Sequence, residues 1–283
     1  MDAGRQSLTW RERVLRKTGA GAFRCELEGG GRPCPIGGVV RFTLLLLAGL
    51  ILGVSAARAD FARDLSRIHT EAVGGRANIN ALKTLKATGV TRNARGDLNF
   101  VLWAARPDRI RTEVTSGGRT IVQAWDGAGE PWSTDSQSRR ITVITGAGAT
   151  EFKMDAEFDD PLIAGPARQI ALDYAGPVEM DGRQLLKVVV THHFTSTSFV
   201  YLDPVSFLIV RREDLRRRKT GEVLIRTDYS DFRAVGGVIL PHRLVISQNG
   251  KQLNETVVER IEPNPELAAD LFKMPPVVRD KER

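Results

Sequence analysis

The chain has 283 residues, of which 42% are apolar and 27% are charged, a composition typical of a globular protein with a sizeable core. This composition excludes a disordered tail protein and a small disulfide-stapled domain. The formal net charge of +7 would favour a nucleic-acid partner if it were spread over the whole chain. However, residues 1–59 contain nine basic and four acidic side chains, which leaves 32 basic and 30 acidic for 60–283. Because the remainder is nearly neutral, no nucleic-acid partner is expected.

An apolar run near the front of the chain has the features of a secretory signal peptide. Residues 42–54 read FTLLLLAGLILGV, follow Arg41 and precede the small-residue pattern SAARA, which ends at Ala59. A basic region, an apolar region and a cleavage site follow one another in this order in signal peptides. We therefore predict a signal peptide over 39–59, cut between Ala59 and Asp60. A membrane anchor is the alternative, although a spanning helix needs about 20 apolar residues.

The 38 residues before this signal are rich in glycine and arginine and contain both cysteines, Cys25 and Cys34. A signal peptide normally begins a chain. Residues 1–38 are therefore interpreted as the result of a mis-set start codon, with Val39 or Val40 as the true first residue. The alternative is an extended basic region of the signal peptide.

The absence of cysteine from 60–283 limits the chemistry of the predicted mature protein. Disulfides, thiol catalysis and cysteine metal sites are excluded together. Because no cysteine follows Ala59, no lipid anchor is expected either.

We also find no internal repeat and no low-complexity linker in this part of the chain. The sequence thus predicts an exported protein, soluble after export, whose single domain spans 60–283.

Helical periodicity is confined to short segments. An amphipathic helix is predicted over 60–73, ended by Gly74 and Gly75 and followed by a second short helical turn. Its apolar stripe is formed by Phe61, Leu65, Ile68 and Ala72. At the other end of the chain, residues 264–272 are expected to form one helical turn.

After Thr88 the sequence changes to β-branched runs separated by turn signals such as Asp181-Gly182 and Asn249-Gly250, which predicts an antiparallel meander. The runs 98–103 and 205–210 are apolar on both faces, so they need cover on both sides. The helix at the start of the domain and a segment at 149–163 could supply that cover. We therefore predict a mainly β (α+β) fold, with helices on one face of a long curved sheet.

Side chains able to carry catalysis or to bind a metal form no recognisable motif. His192 and His193 are adjacent on a predicted strand and point to opposite faces, so they cannot share a metal. The acidic pairs Asp159-Asp160 and Glu213-Asp214 lie next to turn signals, where solvated capping is the commoner role. We predict no catalytic residue, no metal and no cofactor, and hence a protein that is not an enzyme.

A basic run at 211–219, RREDLRRRK, is the strongest patch of positive charge in the predicted mature chain. Such a run could bind a phosphate or an anionic lipid headgroup. It could equally form the charged tip of a hairpin, because it lies between two predicted strands.

Five segments together resemble the outer-membrane lipoprotein-sorting (LolA-like) superfamily of periplasmic proteins. They are AVGGRANINALKTLKATG (72–89), WDGAGEPW (125–132), FVYLDPVSFLIVRRE (199–213), DYSDFRAVGGVILPHRL (228–244) and NPELAADLFKMP (264–275). The resemblance extends over nearly all of 60–275, although the individual motifs are short and a long segment at 145–170 does not align with the carriers.

The resemblance implies an incomplete antiparallel β-barrel, closed by short helices as a lid, whose apolar side holds the acyl chains of a lipid or lipoprotein. We expect the cavity to be lined by Leu98, Phe100, Leu102, Ile110, Val114, Val122 and Trp125. The family's carriers use a basic residue near the cavity mouth, for which Arg92, Arg109 and Arg111 are candidates. The resulting hypothesis is a periplasmic lipid or lipoprotein carrier. The alternative is an interaction or sensor module with the same fold that binds an inner- or outer-membrane envelope protein.

Overall fold

A computed structural model describes residues 61–276, except 193–195 and 219–220. The predicted signal peptide, its cleavage site and residues 1–38 lie outside the described residues. Within the described part, no helix has the length and apolar character needed to cross a membrane.

The helices of the described residues are short. Helix α1 spans 61–73, α2 spans Gly75–Ala81, α3 spans Gly146–Asp155, and α4 spans Pro161–Ala164, with a 3₁₀ turn at Gly165–Arg168. The predicted first helix is therefore confirmed, and Leu65 of its predicted stripe is buried, but the other three buried positions are each displaced by one residue. The buried stripe consists of Ala62, Leu65, His69 and Val73.

Thirteen strands make up the rest of the described fold. In chain order they are β1 (Thr84–Asn93), β2 (Gly96–Ala105), β3 (Arg109–Ser116), β4 (Arg119–Trp125), β5 (Trp132–Asp135), β6 (Ile141–Val143), β7 (Ile170–Met180), β8 (Arg183–His192), β9 (Ser196–Leu202), β10 (Ile209–Arg218), β11 (Gly221–Val235), β12 (Val238–Gln248) and β13 (Lys251–Pro263). Two-residue turns such as Asn249-Gly250 have positive φ at both positions, which suits hairpins that follow the twist of the sheet.

All thirteen strands form a single antiparallel sheet in the order β6-β5-β4-β3-β2-β1-β13-β12-β11-β10-β9-β8-β7. Two meanders are thus joined by the pairing of β1 with β13. The edge strands β6 and β7 do not pair, and the chain passes between them through α3, α4 and the 3₁₀ turn. The predicted mainly β fold with short helices is confirmed, and the sheet is an incomplete barrel.

The strand register defines two faces. We call inner the face that carries Leu85, Tyr229 and Leu244, and outer the opposite face. Helices α1 and α4 pack on the inner face of β7–β9 through Leu65 and Leu162, which are almost fully buried. The partners of these two residues in the main core cluster are Ile170, Val188, Val190, Val200 and Leu202.

The C-terminal segment returns to the start of the sheet and then crosses its outer face. The side-chain oxygen of Asn264 accepts a hydrogen bond from the Lys83 backbone N–H at 2.7 Å, and its amide donates to the Ala81 carbonyl at 3.1 Å. Farther on, Phe272 is buried, and the indole N–H of Trp132 donates to its carbonyl at 3.1 Å. These residues form turns rather than the predicted helical turn.

The predicted strand at 205–210 is also wrong in its first half. Asp203 accepts hydrogen bonds from the backbone N–H groups of Val205 and Ser206 at 3.0 and 2.8 Å, which closes a turn. Phe207 adopts a positive φ in this turn, and β10 begins only at Ile209. Local side-chain capping overrides the apolar pattern here.

The β1–β13 pairing can be tested at Gly89, which lies at a register shift between these strands. A Cβ atom there would clash with the Val257 carbonyl oxygen and lie 2.9 Å from Phe100 Cε1. We expect Gly89→Ala to lower the free energy of unfolding by about 1–3 kcal/mol, as overpacking does. Urea titration followed by circular dichroism measures this change.

The matched control is Gly148→Ala in α3, where the added methyl meets only an ordinary contact at 3.5 Å from Ile144. Because alanine favours a helix over glycine, this variant should be neutral or stabilised by up to about 1 kcal/mol. Equal effects of the two substitutions would contradict the proposed close approach of β1 and β13.

Candidate ligand cavity

A cavity of about 660 Å³ lies between the inner face of β9–β13 and the helical segments. Its helical side is formed by α1, α2 and residues 154–163, which include the end of α3 and the start of α4. Most of its lining is apolar. The strands contribute Val200, Ile225, Tyr229, Leu240, Leu244 and Ile246.

One end of the cavity is lined by a buried apolar cluster. Val73, Ile79, Leu82, Ile163 and Val238 form a buried cluster there, each less than a tenth exposed. Phe158, Leu208 and Leu240 pack against this cluster. The α1–α2 helices, α4 and the start of β12 therefore seal this end by hydrophobic contact.

A partly buried ion pair fixes α1 to the connection between β6 and β7, residues 144–169, which we call the lid. His69 Nδ1 lies 2.8 Å from the Phe207 carbonyl oxygen, and Nε2 lies 3.0 Å from Asp160 Oδ2. Because a carbonyl can only accept, Nδ1–H donates to it, and a carboxylate calls for a second donor at Nε2. The geometry thus matches a doubly protonated imidazolium. Asp160 also caps α4 by accepting from the N–H groups of Leu162 and Ile163.

The pKa directions of this pair agree with its geometry. Burial would lower the pKa of His69, but the charge and hydrogen bond of Asp160 and the Phe207 carbonyl outweigh it, so this pKa is raised. For Asp160, burial would raise the pKa, but the charge and hydrogen bond of His69 and the two α4 N–H groups hold this pKa below its usual value. Both directions favour the ionised form of the pair.

A second contact joins the lid to the sheet through Arg106. Its guanidinium forms a two-point ion pair with Asp159, one arm of which measures 2.7 Å, and it lies over the Phe158 ring at 4.5 Å. It also donates to the carbonyls of Ile79 and Leu82 at 2.8 and 2.7 Å. Arg106 thus ties α2, β2 and the lid together at the apolar end.

The opposite end of the cavity is charged. The register of β10 points Arg212, Asp214 and Arg216 to the inner face, opposite Thr227, Ile225 and Val223 of β11. Arg212 Nε donates to Asp214 Oδ1 at 3.0 Å. Arg216 donates to Glu151 at 3.1 Å and to Asp155 at 3.2 Å, both on α3. These contacts hold α3 against the inner face.

The basic run 211–219 is a strand up to Arg218, and the side chains of 211–216 alternate between the two faces of the sheet. On the outer face, Arg211 is buried and pairs with Asp181 at 2.6 Å and Asp228 at 2.5 Å. In a strand, alternate residues of 211–216 must lie on one face, and this was the signal that the sequence offered. No sequence pattern showed which residues would pair with these charges.

Six of the seven predicted cavity residues share the inner face. Leu98, Phe100 and Leu102 lie opposite Thr91, Gly89 and Ala87 of β1, all of which share a face with Leu85. Ile110, Val114 and Trp125 continue this face across β3 and β4. Val122 needs correction, because it pairs with Glu113 and therefore lies on the outer face.

The cavity lies over the other half of the sheet. None of the seven predicted residues is among those that line it, and their contact with a ligand stays a prediction. Trp125 nevertheless meets the lid, since the Lys153 ammonium of α3 lies 5.7 Å from its ring centroid.

The three basic candidates for the cavity mouth lie on the outer face, because each is adjacent along its strand to residues that point to the inner face. Arg92 is 3.9 Å from Asp97. Arg109 lies over Phe272 at 5.5 Å from the ring centroid, and Arg111 donates to the Leu271 carbonyl at 3.1 Å. The arginines that line the cavity are instead Arg106, Arg212 and Arg216.

Two further features limit the chemistry of the cavity, namely the protonation of Tyr229 and the arrangement of residues that could bind a metal. Burial raises the pKa of Tyr229, which lines the cavity, to about 12, so its hydroxyl is neutral at physiological pH. Among the residues that the structure describes, no group of three or more histidine, cysteine, aspartate or glutamate side chains could hold a metal ion.

Solved structures share this fold. A putative outer membrane lipoprotein-sorting protein domain from Vibrio parahaemolyticus matches 75% of this chain and 97% of its own, at 11% identity and a TM-score of 0.53. A DUF1329 family protein from Desulfovibrio piger matches 76% and 97%, at 9% identity and a TM-score of 0.56. A LolA superfamily protein from Nitrosomonas europaea matches 77% and 98%, at 10% identity and a TM-score of 0.50. No protein-family model and no curated protein sequence matches the chain.

These similarities concern the fold, since the sequence identities are low. The chain shares the fold of these solved structures, two of which are described as a lipoprotein-sorting domain and a LolA superfamily protein, and the fold that the resemblance of the five segments implied is confirmed.

The His69–Asp160 pair predicts a pH dependence of stability. A raised histidine pKa contributes stability that is complete below the unfolded value of about 6.5 and is lost as the pH rises through the folded pKa. A lowered aspartate pKa contributes above about 3.9 and is lost as the pH falls through its folded pKa. The pair should therefore stabilise most between about pH 4 and 6.5.

We expect His69→Gln to lower the free energy of unfolding by about 1.5–3 kcal/mol within this window and by less under alkaline conditions. Urea unfolding across a pH series measures the difference. In an Asp160→Asn background, the His69→Gln effect should no longer be largest below about pH 6.5, because burial then lowers the His69 pKa. A pH-independent loss in the otherwise unchanged chain would contradict the ionised pair.

Proposed function

We propose that the protein is a non-enzymatic periplasmic binding or carrier protein that shields an acyl chain of a lipid or lipoprotein. The observation that carries this proposal is the largely apolar cavity of about 660 Å³ between the sheet and the lid. Its volume falls within the ~300–1,000 Å³ typical of small-ligand sites. Each methylene buried from water contributes about 0.8 kcal/mol, so a long chain gains affinity without any covalent step.

The roles of the charged groups support a binding protein rather than an enzyme. His69 with Asp160, and Arg106 with Asp159, join helical segments to one another and to the sheet. Arg216 holds α3 through Glu151. These groups are engaged in structural ion pairs, so the cavity is a place for a ligand rather than for a reaction.

The names of the structural neighbours point the same way. A domain with this fold from Vibrio parahaemolyticus is described as an outer membrane lipoprotein-sorting protein, and such a task requires acyl chains to be kept from water. We extend this task to the present chain as part of the proposal. The predicted export signal at 39–59 would deliver it to the same compartment.

Filling the cavity tests the proposal. Ile246 lines its strand side, so Ile246→Trp should occupy part of the volume that an acyl chain needs. We expect this variant to bind a fluorescent long-chain fatty acid at least about tenfold more weakly, a loss of ~1.4 kcal/mol. Fluorescence titration measures the affinity, and native mass spectrometry of the purified protein identifies any bound lipid.

Val205→Trp is the matched control, because Val205 is 86% exposed in the turn before β10. It adds the same side chain outside the cavity and should leave binding unchanged. Failure of the unaltered protein to take up the fatty acid, together with a lipid-free native mass, would reject the carrier function. That result would favour the alternative of an envelope protein that binds a partner through this fold.

Export is tested separately. When the full chain is expressed in a Gram-negative host, we expect the periplasmic fraction to contain protein whose N-terminal sequence begins at Asp60, DFARD. Edman sequencing or intact mass measurement identifies this end. Recovery of protein that still carries 1–59 would contradict both the cleavage site and the signal peptide.

A further inference from the structure

The connections between consecutive, paired strands lie at two opposite ends of the sheet, because neighbouring strands are antiparallel. At one end the chain connects β1 to β2, β3 to β4, β5 to β6, β8 to β9, β10 to β11 and β12 to β13. At the other end it connects β2 to β3, β4 to β5, β7 to β8, β9 to β10 and β11 to β12. The two rows of connections can therefore be compared as separate surfaces.

The two ends differ in charge. When each connection is taken with the two residues on either side, the first end has nine basic and three acidic residues, a formal charge of +6. The second end has three basic and six acidic residues, a formal charge of −3. The first end still carries +3 without 217–219, whose side chains are not among those that the structure describes. We call the first end the basic end.

Some cations of the basic end are not used by the fold. Four of them are exposed and have no ion-pair partner among the described residues, namely Arg95 of β1–β2, Arg139 and Arg140 of β5–β6, and Lys251 of β12–β13. The carboxylates nearby are already engaged, since Asp97 lies 3.9 Å from Arg92. Asp135 likewise pairs with Arg119. The four exposed cations are thus available to an anionic partner.

The basic residues are spread along the end of the sheet rather than collected in one pocket. In the sheet order, the five hairpins that carry them are neighbours, from β5–β6 to β10–β11. The strands from β6 to β10 span roughly 40 Å along this end at ~4.8 Å per strand. A small anion cannot contact cations so far apart, whereas the headgroups of a membrane form an anionic surface of any width.

The cavity extends to the basic end. Its lining includes Gln248, the last residue of β12, and Leu253, two residues beyond Lys251. Leu253 is 42% exposed, so the cavity lining is accessible from outside at this point. A membrane in contact with the basic end would lie beside this accessible apolar lining. An acidic protein would match the charge but would gain nothing from an adjacent apolar cavity, and the membrane is therefore the better fit.

We propose that the basic end docks the protein on the anionic headgroups of a phospholipid membrane. Each basic side chain close to such a surface strengthens binding by about fivefold. The docking depends on charge and not on what the cavity holds, so it goes beyond the proposed acyl-chain binding. Where both hold, an acyl chain passes between the bilayer and the cavity with little exposure to water.

Co-sedimentation of the full chain with vesicles tests the docking. One set of vesicles is an equal mixture of phosphatidylglycerol and phosphatidylcholine, and the other is phosphatidylcholine alone. The basic-end variant replaces Arg95, Arg139, Arg140 and Lys251 together by glutamine. We expect it to bind the mixed vesicles at least about tenfold more weakly than the unaltered chain in ~0.15 M salt.

The matched control removes the same amount of charge elsewhere. Four exposed basic residues lie toward the second end of the sheet, namely Lys83, Arg183, Arg233 and Arg260. Their joint replacement by glutamine should change binding to the mixed vesicles by less than about threefold, because salt screens charges far from the contact. Residues 1–59 are the same in both variants, so their basic side chains cannot produce the difference.

Equal losses in the two variants would mean that net charge alone attracts the chain to vesicles, and this result would overturn the proposal. Undiminished binding by the basic-end variant would overturn it as well, as would equal binding of the unaltered chain to both kinds of vesicle.

Uptake of the fluorescent fatty acid in solution separates docking from acyl-chain binding. The basic-end variant should bind the fatty acid within about twofold of the unaltered chain, which also shows that its fold is intact. Ile246→Trp should lose that binding and still dock on the mixed vesicles. Docking by an unaltered chain that takes up no fatty acid would count against the carrier function alone.

Discussion

The pairing of β1 with β13 is the constraint on which the architecture depends. It joins two meanders that would otherwise be separate sheets, and it leaves β6 and β7 as unpaired edges at the far ends. The chain must then travel from one edge to the other between Val143 and Ile170, and it does so as α3, α4 and a 3₁₀ turn. The lid is thus the connection that an open sheet of this order requires, and the cavity is the space that it encloses.

Charge inside an apolar cavity is costly unless it is paired, and three ion pairs at this cavity join different parts of the fold. His69 and Asp160 join α1 to α4, Arg106 and Asp159 join β2 to the lid, and Arg216 joins β10 to α3. Each charge in such a pair would be costly without its partner, so the pairs specify where the lid lies. Hydrophobic contact alone would hold it less specifically.

The sequence predicted features that depend on neighbouring residues. The α1 helix, the glycine-containing hairpin turns and the antiparallel meander all follow from local periodicity and turn chemistry. Which half of the sheet the lid covers depends on contacts such as Arg216 with Glu151, 65 residues apart. Alternation likewise separates Ile110 from Arg109 and Arg111 but does not tell which face is inner. Val122 was misassigned because Ile121 and Val122 are both apolar. Only the pairing register shows which of the two lies on the inner face.

The clamp made by Asn264 has a consequence for the order of folding. Its side chain reaches back 181 residues to Lys83, and β13 must be present before the centre of the sheet exists. Such long-range closure is slow, because chain entropy is lost before the contacts that compensate for it can form. During synthesis, β1–β6 and β7–β12 can each form hairpins, but the two halves remain unjoined until the last strand emerges. A chain organised in this way encloses its cavity only after the last strand has formed, so neither half of the sheet alone can provide that space.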